Sequence, residues 1–444
     1  MGTARSAALR ALLRVEKENG YSNLVLDGAL EGLPFGSRDR ALATAIFYGV
    51  LEHRITLDYI IGLYSRIPVL KLSPAVREIL RMGVYQIRYL ERVPNSAAVN
   101  ESVKLAKTNG ETRAAGFINA VLRALLRGPD RIKLPDAYKE PIKYRSAAFS
   151  CPEKLITFWQ KAYGETCTDR ILGSLLEKPD IFIRVNNTRI SEEQLLERLG
   201  SEGVKAKRVL WPDNALRLKN PGEIRRLSCY QEGLFHVQDL SSQICCRILD
   251  PQPGERAIDV CAAPGGKTFT MAERMENRGE ISAFDLYPAR VRLVQKGACR
   301  LGLSIVRSAA RNAAESESSP VPADRVLCDV PCSGLGVIRR KPEIRYKFPS
   351  SIDSLPDLQY RILCRSSGLV KKGGMLVYST CTLNPEENSG VADQFIRDNS
   401  DFEPFGLPLP ESIRREIPER DNQITLMPQM YGTDGFFIAA FRRK

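Results

Sequence analysis

The stretch RAIDVCAAPGGKT, residues 256–268, is a short apolar run that ends on the carboxylate of Asp259 and then passes into small residues and paired glycines. A strand followed by a ligand-approach loop and a helix start is the reading, because glycines let a bound molecule close on the backbone before the helix begins. The loop is not a Walker A motif: GxxxxGK[ST] would need glycine at position 261, which is Cys. Working outward, Glu280–Phe284, Ser304–Arg307, Arg325–Asp329 and Met375–Ser379 are further short apolar runs separated by helical patterns. Five such runs predict a doubly wound α/β unit over residues 235–444, with a parallel sheet ordered 3-2-1-4-5 and ligands outside the carboxyl ends of its strands.

The rest of the 444-residue chain divides by pattern. Residues 1–130 show apolar residues at helical spacing, as in Leu42, Ile46, Val50 and Leu80, Val84, Ile87, and predict an all-α bundle. Residues 131–150 hold Pro135 and Pro141 with little periodicity and read as a linker; 151–234 read as a small α+β unit with strands at Ile181–Val185, Val204–Leu210 and Ala215–Leu218. No apolar stretch reaches the roughly 20 residues of a spanning helix, and Met1–Arg14 lacks a cleavage-site pattern. Eleven cysteines, an odd number with no CxxC pair, suit reduced thiols, so a cytoplasmic protein is expected. The net charge of +13, with 18 basic against 11 acidic residues in 1–128, favours a polyanionic partner such as nucleic acid.

Several residues carry chemistry. Asp285 ends the second run about 20 residues past the glycines, where a carboxylate can accept from ribose hydroxyls or, equally, cap the helix that starts near Pro288. Asp329-Val-Pro-Cys332 follows the fourth run and Ser379-Thr-Cys381 the fifth, so both thiols should face the glycine loop. A zinc site from Cys261, Cys328, Cys332 and Cys381 is disfavoured by the absent CxxC spacing and by histidines only at 53 and 236. The run Arg339–Lys347 carries five cations and one acid and reads as a phosphate-contacting loop at the crevice mouth.

These motifs, CAAPGGKT, FDLYPARVRL, DVPCSGLGVIRRKPEIRY, YSTCTLNPEEN and TDGFFIAAFRR, resemble the RNA cytosine-C5 methyltransferases of the Sun (Fmu) family, and SRDRALATAIFYGVLEHR with GFINAVLRALLR resembles the NusB-like RNA-binding domain. The resemblance implies a class I Rossmann-like fold, a ferredoxin- or RRM-like unit over 151–234, S-adenosylmethionine as methyl donor and, for this pairing in bacteria, 16S ribosomal RNA as substrate. It assigns the nucleophile to Cys381 and product release to Cys332, and places Asp329 and Lys267 at the target base or the thiol. Cofactor contacts are implied for Cys261, Ala262, Ala263, Pro264, Gly265, Gly266 and Lys267, together with Asp285 and Asp329; no metal is implied. One departure stands out: Ser308-Ala309-Ala310-Arg311 lacks the acid that the family places near adenine. Carbon-5 chemistry needs an exposed ring, so a single-stranded or flipped cytosine and a monomeric enzyme are expected. Transfer RNA as substrate, or a non-catalytic assembly factor on the same fold, are the competing readings.

Overall fold

The computed structural model describes residues 3–18, 22–31, 36–315, 321–348, 352–414, 421–430 and 432–444. Chain contacts divide it into two compact units, one of residues 1–177 with 338–349 and one of 178–337 with 350–444. None of the helices described is long and apolar enough to cross a membrane.

The first unit is helical. Helices Ser37–Glu52, Arg54–Tyr64, Pro74–Tyr89 and Ala115–Arg127 bury Ile46, Phe47, Leu57, Ile61, Ile79, Leu80, Ile118 and Leu122 in a single core. The helix Pro74–Tyr89 starts where Ser73 accepts from Val76 N and Pro74 takes the first turn, whose N–H would have no intrahelical partner.

Here the structure differs from the sequence reading. Residues 131–150 include the helix Pro141–Phe149, and Arg145 bonds Asp169 at 2.6 Å and Glu165 at 2.6 Å on the helix Glu165–Ser174. By chain contacts the helix Glu153–Tyr163, expected at the start of the α+β unit, clusters with the helical residues. Only nine residues long, with little amphipathic bias, Pro141–Phe149 offers no periodic stripe to detect.

The basic run Arg339–Lys347 requires a correction. Its turn Pro342–Lys347 lies in the helical unit, where Arg345 is fully buried and donates to Ser150 O at 3.0 Å and Glu52 O at 3.3 Å. Tyr346 donates to Leu51 O at 2.7 Å, and buried Glu343 accepts from Ser22 N at 3.0 Å. Carbonyls at helix C-termini lack intrahelical donors, and the guanidinium of Arg345 supplies them at the ends of two helices at once. Arg345 and the buried Arg339 are thus internal groups and no phosphate contacts; Arg340, Lys341 and Lys347 are half-buried.

The second unit holds two sheets. Strands β1 (Ile181–Val185), β2 (Lys205–Arg208), β3 (Ala215–Lys219) and β4 (Phe235–Val237) form an antiparallel sheet ordered β2-β3-β1-β4, with the helix Glu192–Ser201 packing Leu195 and Leu199 on one face. Phe182 and Ala215, on the other face, enter the core of the larger sheet, and Asn186 Nδ2 donates to Leu301 O at 2.9 Å. The small α+β unit is therefore fused to its neighbour rather than tethered.

The larger sheet comprises β5 (Arg256–Asp259), β6 (Glu280–Asp285), β7 (Val306–Ala310), β8 (Ala323–Asp329), β9 (Val370–Thr380), β10 (Phe402–Pro404), β11 (Gln423–Leu426) and β12 (Phe436–Arg443). The five expected strands run parallel in the order β7-β6-β5-β8-β9, followed by antiparallel β12 and β10, with β11 pairing β12. Ile258, Val326, Cys328 and Tyr378 pack beneath one layer of helices, and Ala257, Leu327 and Val377 beneath the other. Burial on both faces explains why these strands read as unbroken apolar runs.

Replacing Arg345 by Met is expected to lower the melting temperature by roughly 5 °C or more, since two buried carbonyls lose their donor, whereas Lys347→Ala should shift it by less than about 2 °C. Thermal denaturation followed by circular dichroism checks this; equal shifts would contradict the internal role of Arg345.

Candidate active site

Strand β5 ends at Asp259 and the chain turns through Cys261–Gly265 into the helix Gly266–Arg274. Gly265 has φ +115°, and a Cβ there would meet the Phe269 ring at 2.2 Å, so this turn requires glycine. Ala262 N donates to Phe284 O at 2.7 Å, anchoring the loop to β6. At the end of β6, buried Asp285 accepts from Ala263 N at 3.2 Å and from Tyr287 N at 3.3 Å, and Arg290 lies 3.4 Å away. Asp285 is not the cap of the helix Pro288–Leu301, whose N-cap is Tyr287 with no side-chain cap hydrogen bond; it fixes the turn before that helix, and a carboxylate with about four acceptor sites keeps capacity beyond these two donors.

Lys267 reaches across to β8, where its Nζ lies 2.7 Å from Asp329 Oδ2 and 4.9 Å from the centroid of Phe436. Burial, the largest single influence, lowers the lysine's pKa, but the charge and hydrogen bond of Asp329 together with the neighbouring Cys245 and Cys246 outweigh it and the value is raised. Asp329 Oδ1 accepts from Ser379 Oγ at 2.7 Å. Beneath the loop, Asp259 is fully buried, takes Thr268 Oγ at 2.7 Å, and is pushed up to about 7 by burial against that hydrogen bond.

The two expected thiols meet. Cys332 Sγ and Cys381 Sγ stand 3.1 Å apart, and Cys381 N donates to Cys332 Sγ at 3.3 Å. The loops that carry them cross closely, with Gly336 N donating to Cys381 O at 3.0 Å and Gly435 N to Gly336 O at 2.9 Å; a Cβ on Gly336 would lie 1.9 Å from Gly435 O. The Cys332 thiol is pushed well above its ordinary range, first by its hydrogen bond with Cys381, then by burial and by the charges of Cys381 and Glu387. The two sulfurs are close enough for a proton on one to be shared with the other. Cys261 and Cys328 are pushed up by burial, the latter to about 12, as inert core thiols are. Among the described residues no group of three or more His, Cys, Asp or Glu is arranged for a metal ion.

Residues 2–127 match the NusB family, 151–225 the ferredoxin-like domain of RsmF/B-like methyltransferases, and 246–442 the family described as 16S rRNA methyltransferase RsmB/F. The probable ribosomal RNA small subunit methyltransferase B of Bacillus subtilis is 38% identical over 100% of this chain and 99% of its own length. The chain belongs to the ribosomal RNA small subunit methyltransferase B family. It is therefore a methyltransferase, with a NusB-like domain, a ferredoxin-like domain and a Rossmann-like catalytic domain. A crystal structure of a methyltransferase homolog protein from Pyrococcus horikoshii is 31% identical, with a TM-score of 0.60 over 68% of this chain and 99% of that one. NSun6 from the same organism, solved with SFG, shares the fold with a TM-score of 0.59 at 23% identity over 66% of this chain and 98% of that one.

At the carboxyl end of β7 the methyltransferase carries Ala309 and Ala310 opposite Phe284 and Asp285, with the Arg311 guanidinium 5.1 Å from the Phe284 ring centroid. The third strand ends there without a carboxylate. Ser379 and Glu387 both lie within the motif YSTCTLNPEEN, yet their contacts with Asp329 and Ser333 arise only once β8 and β9 pair. The Ala- and Ser-rich tract 309–322 reads in the sequence as a surface loop, and residues 316–320 of it lie outside the described residues.

The raised pKa of Asp259 carries a signed consequence. The native state holds the proton more tightly than the unfolded chain, so this contribution to stability is full below pH 4 and is lost as pH rises through about 7. Melting temperatures of the wild type should fall between pH 5.5 and 8.5 more steeply than those of Asp259→Asn; parallel curves would refute the assignment.

Proposed function

We propose that this methyltransferase transfers a methyl group from S-adenosylmethionine to carbon 5 of a cytosine in 16S ribosomal RNA through a covalent bond between Cys381 and carbon 6 of the base. The observation that carries the reading is the meeting of Cys332 and Cys381 at 3.1 Å, at the carboxyl ends of adjacent strands β8 and β9. Cytosine carbon 5 is a poor nucleophile. Addition of a thiolate to carbon 6 turns the ring into an enamine with electron density at carbon 5. After carbon 5 is methylated a base takes its proton, the electron pair of that C–H bond re-forms the carbon 5–carbon 6 double bond, and the C6–S bond breaks to release Cys381 as thiolate.

The family resemblance assigns Cys332, whose thiol is pushed well above its ordinary range beside Cys381, to the release step. Asp329 has acceptor sites beyond those taken by Lys267 and Ser379, and the exocyclic amine of cytosine is a matching donor. Lys267 is paired with Asp329, so its charge acts on the base and the thiols through that carboxylate rather than alone.

S-adenosylmethionine, when bound, supplies an electrophilic methyl group on a sulfonium. The residues present suit it. The turn 261–266 presents backbone and a glycine at positive φ; buried Asp259 Oδ1 has no hydrogen-bond partner; and Asp285 retains acceptor capacity for ribose hydroxyls. In place of the missing acid, backbone groups at the exposed end of β7, Ala309–Ala310, would face adenine. Small-subunit ribosomal RNA is the substrate that the relative's name states, and the +13 charge and NusB-like domain suit an RNA partner.

Incubation with labelled S-adenosylmethionine and unmodified 16S ribosomal RNA, followed by bisulfite sequencing, tests the proposal. One cytosine should become resistant to deamination, and Cys381→Ala should lower the rate by about 10³-fold or more. Label confined to transfer RNA would overturn the substrate, and label on any other base or atom would overturn the reaction.

A further inference from the structure

Glu387 is fully buried, while Glu386 beside it is exposed. Four donors converge on its carboxylate. Oε2 accepts from Ser333 N at 2.9 Å and Gln359 Nε2 at 2.8 Å, and Oε1 accepts from Ser333 Oγ at 2.5 Å and Asn384 Nδ2 at 3.0 Å. Four donors on two oxygens is the pattern a carboxylate completes and a protonated acid breaks, because the acid would turn a hydrogen toward a donor. Among the described residues no Lys or Arg pairs with it, so a buried negative charge is held by neutral donors alone.

Three of the four donors come from the thiol loops, and the fourth, Gln359, from the helix Leu355–Ser367. Ser333 follows Cys332 directly, and Asn384 lies three residues past Cys381. Ser333 Oγ also meets Thr382 Oγ at 2.6 Å, and Gln359 Nε2 makes a second bond, to Pro331 O at 3.0 Å. On its own backbone Glu387 is fixed by Tyr378 OH, which donates to its carbonyl at 2.6 Å from within β9. The next residue completes the brace, since Asn388 accepts from Thr380 Oγ at 2.6 Å and donates to Thr382 O at 3.0 Å. The short helical turn Glu386–Gly390 thus grips the chain on either side of Cys381 and, through one carboxylate, Ser333 after Cys332, while Gln359 links that carboxylate to Pro331 before it.

We propose that Glu387 is a positioning residue for the thiol pair: it holds the Cys332 loop against the Cys381 loop, and its charge beside Cys332 keeps the shared proton there, leaving Cys381 as the thiolate. A negative charge opposes a second one nearby; the Glu387 charge is among those that push the Cys332 thiol up, and Ser333, directly after Cys332, donates to its carboxylate through both N and Oγ. The contact has a chemical consequence besides rigidity: glutamine, the uncharged residue of the same shape, removes the charge and also turns its amide hydrogens toward two of the four donors, so Ser333→Ala, which loosens the brace and keeps the charge, separates the two effects. This proposal rests on Cys381 being the nucleophile.

The test uses the full-length protein without RNA, alkylated briefly with limiting iodoacetamide at pH 7.5 and mapped by mass spectrometry. Wild type should label Cys381 at least about 5-fold faster than Cys332, because the thiolate is the reactive form. Glu387→Gln should bring that ratio near 1. In methyl transfer it should lower kcat by about 10- to 100-fold with KM for RNA and for S-adenosylmethionine within about 3-fold, the pattern of a lost transition-state interaction. Ser333→Ala, which removes one donor and keeps the charge, should lower kcat by a smaller factor and leave the labelling ratio as in wild type; it decides the case if Glu387→Gln fails to fold by circular dichroism. An unchanged ratio in folded Glu387→Gln, or a Ser333→Ala protein that loses the ratio or keeps full kcat, would overturn the proposal. A wild type that labels Cys381 selectively but never methylates RNA would instead remove the proposed reaction and leave the role of Glu387 standing.

Discussion

Asp329 takes Lys267 Nζ at 2.7 Å on one carboxylate oxygen and Ser379 Oγ at 2.7 Å on the other, and through those two contacts three parallel strands are pinned together where both thiols emerge. Lys267 comes from the turn after β5, Asp329 ends β8, and Ser379 lies near the end of β9. Strand order places these groups side by side, since β5, β8 and β9 are successive neighbours. A partly buried ion pair of this kind contributes little net stability over an apolar substitute, but losing one partner leaves an uncompensated charge. The clamp is therefore better understood as fixing geometry than as holding the fold together.

The thiols inherit that geometry. Cys332 lies three residues beyond Asp329 and Cys381 two beyond Ser379, so a carboxylate that locks the strand ends also sets the distance between the sulfurs. Further out, Gly336 lets Gly435 approach, bringing the start of β12 under the same loops and Phe436 beneath the Lys267 ammonium. Antiparallel β12 closes the sheet beyond β9 and buries Phe437 and Phe441 on the same side as Tyr378 and Phe395. The site is thus built on paired strands, and its precision comes from ladder hydrogen bonds rather than from loops alone.

Much of this was legible in the sequence, for physical reasons particular to each element. Strands buried on both faces must be apolar throughout, so β5, β8 and β9 announced themselves, and the parallel order followed from the strand-helix alternation. The two cysteines were legible because each follows a strand end beside a glycine loop. What the sequence hid depends on partners distant along the chain. Arg345 lies in a run that scans as solvated charge, and only its position against the carbonyls of Glu52 and Ser150 makes it internal. Glu387 scans as one of two adjacent surface acids, and its burial follows from Ser333 and Gln359, 54 and 28 residues away. The helix Pro141–Phe149 was missed because its short span has no apolar stripe, and β4, at three residues, is too short for alternation to register.

The central claim, that Cys381 bonds the base and Cys332 releases it, is tested most directly on a denaturing gel of wild type, Cys332→Ala and Cys381→Ala after incubation with S-adenosylmethionine and unmodified 16S ribosomal RNA. The account predicts a slow-migrating protein–RNA adduct that accumulates with Cys332→Ala and is absent with Cys381→Ala. An adduct that accumulates only when Cys381 is replaced, or methylation by wild type with no adduct in either variant, would contradict it.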